Sequence, residues 1–220
     1  MPALLAGFHH DHPAVEMTLT VGSSDQLGHA LRTGALDLAF IGLGADPPAL
    51  LTVHVLASSP LLAVVALDHP LAGVAAIELR TLAENPLISM ARGTGLRTCL
   101  EHACTTLGIT PHVAYEATDP AMAARLAAHG FGVAVVPVSV ATPGRASDLH
   151  LLQITTPALR SALALAWRAT GPASPAARAL ISHIRSTVPG PGSPTVVPAM
   201  TTSAGAATSA TTSRSSCSGS

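Results

Sequence analysis

The chain has 220 residues, 48% of them hydrophobic, and a formal net charge of −1 with histidine neutral. A chain of this length buries roughly two-thirds of its unfolded surface, so it needs no disulfide or metal to hold a core. Its 11 basic residues are all arginines and are scattered along the sequence, which argues against the basic stripe that duplex DNA binding requires.

The N-terminal region lacks the features of a targeting segment. Met1 to Asp11 has no basic stretch ahead of an apolar core, and no segment of the sequence reaches the ~20 apolar residues of a membrane helix. The 3 cysteines, Cys99, Cys104 and Cys217, fit no disulfide framework and no zinc-ribbon spacing. We therefore expect a cytoplasmic protein.

The first third of the chain alternates strand and helix patterns. Val15 to Val21 alternates apolar and polar residues, which predicts a half-buried strand. Ser23 or Ser24 is placed to cap a helix that Gly34 ends. Leu36 to Ile41 then runs apolar enough for a strand covered on both faces.

The same alternation continues to about residue 185. Pro60 to Gly73 is an apolar run that stops at an Asp-His-Pro turn, which predicts one buried strand and its exit. The other predicted elements are strands at 52–56, 61–66, 87–90, 112–116, 133–136, 149–154 and 161–167, and helices at 79–84, 96–107, from Thr118 or Asp119 to Gly130, and at 175–185. This order predicts an α/β fold with two small lobes, whose ligands lie beyond the carboxyl ends of the strands.

The C-terminal segment has a different composition. From about Thr187 it consists mostly of Pro, Gly, Ser, Thr and Ala. Such a segment cannot bury enough surface to offset its ordering entropy, so we predict that 189–220 is disordered.

Two clusters invite a chemical interpretation. His9-His-Asp-His12 could ligate zinc or nickel, but a solvated helix end before Pro13 is the favoured interpretation. Cys99 and Cys104 lie five apart, which is neither a redox motif nor a spacing of ligands on adjacent turns. We expect both to be small buried hydrophobes.

Motifs of enzymes and nucleotide-binding proteins are missing from the sequence. Gly42-x-Gly44 and Gly93-x-Gly95 do not continue to the full dinucleotide pattern, so ordinary strand-end turns are favoured. The sequence contains no G-x-S-x-G elbow, H-E-x-x-H pair or P-loop. We predict no catalytic residues, no metal and no cofactor.

Three stretches together carry a family resemblance. Gly34-Ala-Leu-Asp-Leu-Ala-Phe-Ile-Gly42, Pro60 to Gly73 and Gly130-Phe-Gly-Val-Ala-Val-Val-Pro137 resemble the effector-binding domain of LysR-type transcriptional regulators, in the right order and spacing. The resemblance implies two Rossmann-like lobes of periplasmic-binding-protein type II. The first lobe would be 1–57 with 139–188 and the second 58–138, followed by the tail 189–220.

The sequence departs from the family at its start. The family's N-terminal winged helix-turn-helix and linker helix have no counterpart here, and the family's opening strand would precede Pro2. We therefore expect a truncated member whose first lobe lacks its N-terminal strand. Contact with promoter DNA would then need the missing N-terminal domain.

The resemblance also implies an effector site between the lobes. Arg92 is the only arginine expected at the mouth of this cleft, so an anionic effector is favoured. The hydroxyl residues could instead only cap helices, because capping and ligand binding use the same free N–H groups. The residues implied are Ser23, Ser24, Gly42, Leu43, Ala91, Arg92, Thr94 and Thr118.

The resulting hypothesis is a small-molecule sensing domain of a LysR-type regulator, without enzymatic activity. By analogy with the family, we expect a homodimer or tetramer. The alternative is a free-standing solute-binding protein of a transport system, which shares the two-lobed fold. That alternative would need export.

Overall fold

The computed structural model describes residues 2–44, 48–140, 148–172 and 174–188, together with the backbone of 195–196. The helices in these ranges are α1 (Pro2–Asp11), α2 (Ser24–Thr33), α3 (Leu79–Ala83), α4 (Gly95–Thr106), α5 (Pro120–Ala128) and α6 (Pro175–Thr187). The strands are β1 (Ala39–Leu43), β2 (Leu51–Ala66), β3 (Ala76–Glu78), β4 (Leu87–Met90), β5 (Val113–Ala117), β6 (Val133–Pro137), β7 (Leu149–Thr155), β8 (Arg160–Arg168) and β9 (Thr195–Val196). A 3-10 turn spans Val138–Val140.

The long strand β2 belongs to two sheets. Its first part, from Leu51 to Pro60, pairs antiparallel with β8, and β8 pairs with β1; we call this the first sheet. From Leu61 onward β2 lies between β6 and β7, and the second sheet continues from β6 through β4 to β5. The predicted α/β class is confirmed.

Each sheet is covered by helices on both faces. In the first sheet, Leu31 of α2 packs with β1, β2 and β8 on one face, while Ile181 and Ile184 of α6 pack against Leu165 and Trp167 on the other. In the second sheet, α3 and α4 cover one face and α5 the other. The first sheet with α1, α2 and α6 forms the first lobe; the second sheet with α3, α4 and α5 forms the second lobe.

Most predicted elements are confirmed with small shifts of their ends. Strand β4 has the predicted bounds, and Gly34 and Gly108 take the left-handed backbone conformation after α2 and α4, with φ of 81° and 67°. The two strands predicted around Pro60 are a single strand, because Ala57 to Pro60 continue to pair with β8 across a bulge after Val55.

The prediction of a strand at Val15 to Val21 is wrong. The segment is not a strand and pairs with no strand of the described part of the chain. Leu19 is 72% and Val21 100% exposed. Alternation gives a segment one apolar face, but a strand also needs a neighbour for its backbone hydrogen bonds.

The boundaries of the two lobes and the disorder of the tail 189–220 remain predictions. The strand β7 falls within the segment assigned to the first lobe, yet it pairs with the second-sheet part of β2. Of the tail 189–220, the structure describes only Thr195–Val196, which pair with Thr52 and Val53 of β2. The rest of the tail, and residues 141–147 of the segment predicted for the first lobe, lie outside the described residues.

A polar side chain is buried beneath α6. His54 of β2 is 4% exposed, and neither ring nitrogen has a hydrogen-bond partner among the described residues. It pairs across the sheet with Leu165, on the face that Ile181 and Ile184 cover. An unsatisfied buried polar group costs about 1–3 kcal/mol.

Replacing His54 with leucine should therefore stabilise the protein. We expect His54→Leu to raise the free energy of unfolding by about 1–2 kcal/mol, since it removes the unpaired nitrogens and fills most of the same volume. Urea unfolding at neutral pH measures this, with the exposed His29→Leu as the matched control. A variant less stable than the wild type would show that His54 has a partner in solution.

Candidate functional site

The carboxyl ends of neighbouring strands bring the predicted site residues to one region. Strands β4 and β5 are parallel, and their last residues, Met90 and Ala117, are register partners. The segments that follow, 91–94 and 118–119, therefore leave the sheet side by side, and they lead into α4 and α5.

In the first lobe, Ser23 and Ser24 hold the start of α2. Ser23 caps the helix: its hydroxyl accepts a hydrogen bond from Gln26 N–H, and Gln26 Oε1 accepts one from Ser23 N–H. The hydroxyl of Ser24 accepts a hydrogen bond of 3.1 Å from the N–H of Gly42. Two predicted site residues, Ser24 and Gly42, are thus in direct contact.

In the second lobe, Thr94 caps α4. Its hydroxyl accepts from Arg97 N–H and donates to the carbonyl of Ala91 at 2.8 Å. Ala91 and Arg92 are exposed, and so is Thr118. The cap of α5 is Asp119, whose carboxylate accepts from Met122 N–H, so the Thr118 hydroxyl is not used for capping.

Leu43 differs from the other predicted site residues. Its side chain is buried in the core between α2 and the first sheet, together with Leu31, Ile41 and Leu51. Only the backbone of Leu43 could therefore face a ligand.

The two lobes touch at these loops. The N–H of Asp25 in α2 donates to the carbonyl of Gly93 at 3.1 Å. Next to it the backbones of Gly42 and Gly95 lie against each other. Asp25 was not among the predicted site residues, and an ordinary turn was predicted at Gly93-x-Gly95.

A second arginine, which the sequence analysis missed, lies behind this loop. Arg97 is 4% exposed, and it donates to Glu101 at 2.8 Å, to Glu116 at 3.1 Å and to the carbonyl of Met90 at 3.3 Å. It ties the first turn of α4 to the ends of β4 and β5. The spacing of Arg97 and Glu101, four apart on a helix, was the available signal.

Arg92 differs from Arg97 in its surroundings. Arg92 is exposed and forms no ion pair with any described residue. Of the two arginines, only Arg92 is therefore free to meet a ligand at the surface, while the charge of Arg97 is already compensated by two carboxylates.

The described thiols are buried away from the loops. Burial raises the pKa of Cys99, and a backbone hydrogen bond from Arg160 offsets this only in part. Burial also raises the pKa of Cys104, and the nearby carboxylate of Glu101 adds to it. Both stay protonated at neutral pH, as expected for small buried hydrophobes.

Other features of the described residues lie apart from the cleft. One cavity of about 330 Å³ lies between α4 and the segment 157–160, and another of about 390 Å³ lies along α6. No three His, Cys, Asp or Glu side chains of the described ranges are close enough to share a metal ion. The longest described helix, α6, has 13 residues, and none of these helices is long and apolar enough to cross a bilayer.

Removing the charge of Arg97 should destabilise the protein. We expect Arg97→Met to lower the free energy of unfolding by about 1–3 kcal/mol: the bond to Met90 and both ion pairs are lost, but half-exposed Glu101 and Glu116 regain water. The matched control, Arg92→Met, should change stability by less than about 0.5 kcal/mol. Urea unfolding tests both, and equal effects of the two variants would contradict the assignment.

Comparison with known proteins gives a family. The sequence matches the LysR substrate binding domain over residues 1–189. A probable hydrogen peroxide-inducible genes activator of Mycobacterium avium is 29% identical over 172 residues, covering 77% of this chain and 55% of the relative. The transcriptional dual regulator GltC of Bacillus subtilis (strain 168) is 30% identical over 139 residues, covering 63% of this chain and 46% of the relative. The chain spans about half the length of these curated relatives.

Solved structures show the same fold. The CcmR regulatory domain of Synechocystis PCC6803, in complex with 2-PG, superposes with a TM-score of 0.70 at 23% identity, covering 85% of this chain and 90% of that one. The effector binding domain of QuiR, in complex with shikimate, gives 0.68 at 21% identity, covering 86% and 90%. With the sequence match over 1–189 and this shared two-lobed architecture of periplasmic-binding-protein type II, the chain belongs to the LysR substrate-binding domain family.

Proposed function

We propose that this chain senses a small anionic metabolite, which binds between the lobes at the loops that begin α2 and α4. The observation that carries the proposal is the meeting of these loops: Ser24 and Gly42 from the first lobe lie beside Gly93 and Gly95 from the second. A ligand here would touch both lobes at once, so it could favour one arrangement of the lobes over another.

Two positive features of the loops support an anion, whereas the carboxylate of Asp25 beside Gly93 opposes one. Helices α2 and α4 both begin at the cleft, and helix N-termini carry partial positive charge and free N–H groups. Arg92 is exposed beside them without an ion pair to any residue of the described ranges. We propose that Arg92 receives the anionic group, with Ser23, Ser24, Ala91, Thr94 and Thr118 as further contacts.

The relatives support a regulatory role. The QuiR domain, of the same fold, is bound to shikimate, a carboxylate, and the GltC relative is a transcriptional regulator. We propose that the chain acts in the cytoplasm, in a homodimer or tetramer, and reaches promoter DNA through a DNA-binding domain. The family assignment favours this role over a solute-binding protein of a transport system.

We propose no enzymatic activity for the site. General acid–base or nucleophilic chemistry needs a base beside a nucleophile. The Ser24 hydroxyl is bonded to a backbone N–H, and that of Thr94 to a backbone N–H and a carbonyl. These hydrogen bonds position the loops, and they do not make either hydroxyl oxygen more nucleophilic.

A screen of anions tests the ligand class. We expect at least one metabolite among a panel of carboxylates and phosphates to raise the melting temperature, since a ligand at 100 times its Kd adds about 2.7 kcal/mol of stability. Uncharged analogues of the same compounds are the control. Arg92→Ala should remove the shift without changing the melting temperature of the protein alone.

Two outcomes would contradict this proposal. Stabilisation by the uncharged analogues to the same degree would exclude recognition of the anionic group. A shift that persists in Arg92→Ala would show that another residue receives the anion.

One relative is a probable hydrogen peroxide-inducible genes activator, which raises the question of peroxide sensing by this chain. The described cysteines do not favour it. Peroxide reacts with thiolates, and burial raises the pKa of both Cys99 and Cys104, so neither forms thiolate readily at neutral pH.

We therefore expect these two thiols to resist oxidation in the folded protein. After brief exposure to hydrogen peroxide at neutral pH, mass spectrometry should find the peptides that contain Cys99 and Cys104 unmodified. The same treatment in guanidinium is the control, because unfolding exposes the thiols and should permit oxidation. Selective oxidation of either cysteine in the folded state would revive the peroxide hypothesis.

A further inference from the structure

One of the contacts between the two lobes is built from main chain on both sides. Gly42 is held in the first sheet, where β1 pairs with β8. Gly95 is the first residue of α4, a helix whose Cys99 and Leu100 are buried against the second sheet. Two rigid elements, one from each lobe, therefore meet without side chains between them.

Only one of these glycines lacks room for a side chain. A Cβ added to Gly95 would lie 2.8 Å from Gly42 Cα and nearer still to the carbonyl group of Gly42, and these backbone atoms cannot rotate away. A Cβ added to Gly42 would lie 3.5 Å from Gly95 Cα, which is ordinary van der Waals contact. The backbone of Gly95 is helical, so alanine there meets no conformational penalty of its own.

A hydrogen bond beside this contact links the same elements. The N–H of Asp25 lies in the first turn of α2, where helical N–H groups have no partner within the helix. Its acceptor is the carbonyl of Gly93, in the loop before α4, at 3.1 Å. This amide can therefore report whether the two lobes are in contact.

We propose that the backbone contact between Gly42 and Gly95, together with the bond from Asp25 to Gly93, is a latch that holds the lobes shut. An effector that enters between the loops has to break this latch. The apparent affinity for the effector then depends on the fraction of molecules in which the latch is open. Only this last step rests on the proposed function; the latch itself is a property of the fold.

Amide hydrogen exchange of the full chain, followed by NMR without any ligand, tests the latch. In the wild type the amide of Asp25 should be protected relative to an unstructured chain. In Gly95→Ala it should exchange at least about tenfold faster, because the added methyl group separates the loops. In the matched control Gly42→Ala the rate should stay within about twofold of the wild type.

The amides of Leu31 in α2 and Leu100 in α4 monitor folding and should be unaffected. If Gly95→Ala does not fold, Gly44→Leu is the second variant. A Cβ at Gly44 would lie 2.6 Å from Thr98 Cγ2. A leucine at this position would therefore push against Thr98 and, through it, on α4, and the Thr98 side chain can relieve part of the clash by rotating. It should also accelerate exchange at Asp25.

Three results would overturn the proposal of a latch. They are an unprotected Asp25 amide in the wild type, an unchanged rate in a folded Gly95→Ala, and equal acceleration in Gly42→Ala. Because no ligand is used, a failed effector screen leaves this test intact. Equally, loss of the latch would not by itself exclude an anion site at the same loops.

Discussion

The structure depends on one continuous strand, β2, that serves two sheets. From Leu51 to Pro60 its partner is β8, and from Leu61 onward its partners are β6 and β7. The backbone of β2 therefore takes part in the strand pairing of both lobes. It fixes the orientation of one lobe relative to the other. The bulge after Val55 shifts the register within the pairing with β8, before the strand changes partners, and a bulge increases the local twist of its strand.

This arrangement concentrates helix starts at the line between the lobes. Strands β1, β4 and β5 all end there, and α2 and α4 begin there, so free N–H groups of both lobes converge without any specialised sequence motif. Serine and threonine caps accept hydrogen bonds from some of these N–H groups, and the Gly93 carbonyl accepts one from another. Neighbouring N–H groups of the same helix starts serve helix capping and the contact between the lobes, in keeping with the hydroxyl residues and glycines of the site.

The sequence predicted the elements well where the local signal and the tertiary context agree. Strand β4 is four apolar residues between turns, and Gly34 and Gly108 end helices because the left-handed conformation favours glycine. The prediction failed at Val15 to Val21, where alternation was present but the described residues offer no pairing partner. It also missed Arg97, since a charged residue on a helix is normally expected at the surface, and only the fold brings Glu116 within 3.1 Å of it. Likewise Ser24 and Gly42 lie 18 positions apart, and no spacing rule connects them.

The exposed segment that contains Leu19 and Val21 has a consequence for the behaviour of the protein in concentrated solution. A stretch with alternating apolar residues that pairs with no described strand is a template onto which another extended chain can add. We therefore expect self-association at high protein concentration to begin at this exposed segment. A single charge, that of Glu16, opposes such association, and the segment ends two residues before Ser23 at the start of α2.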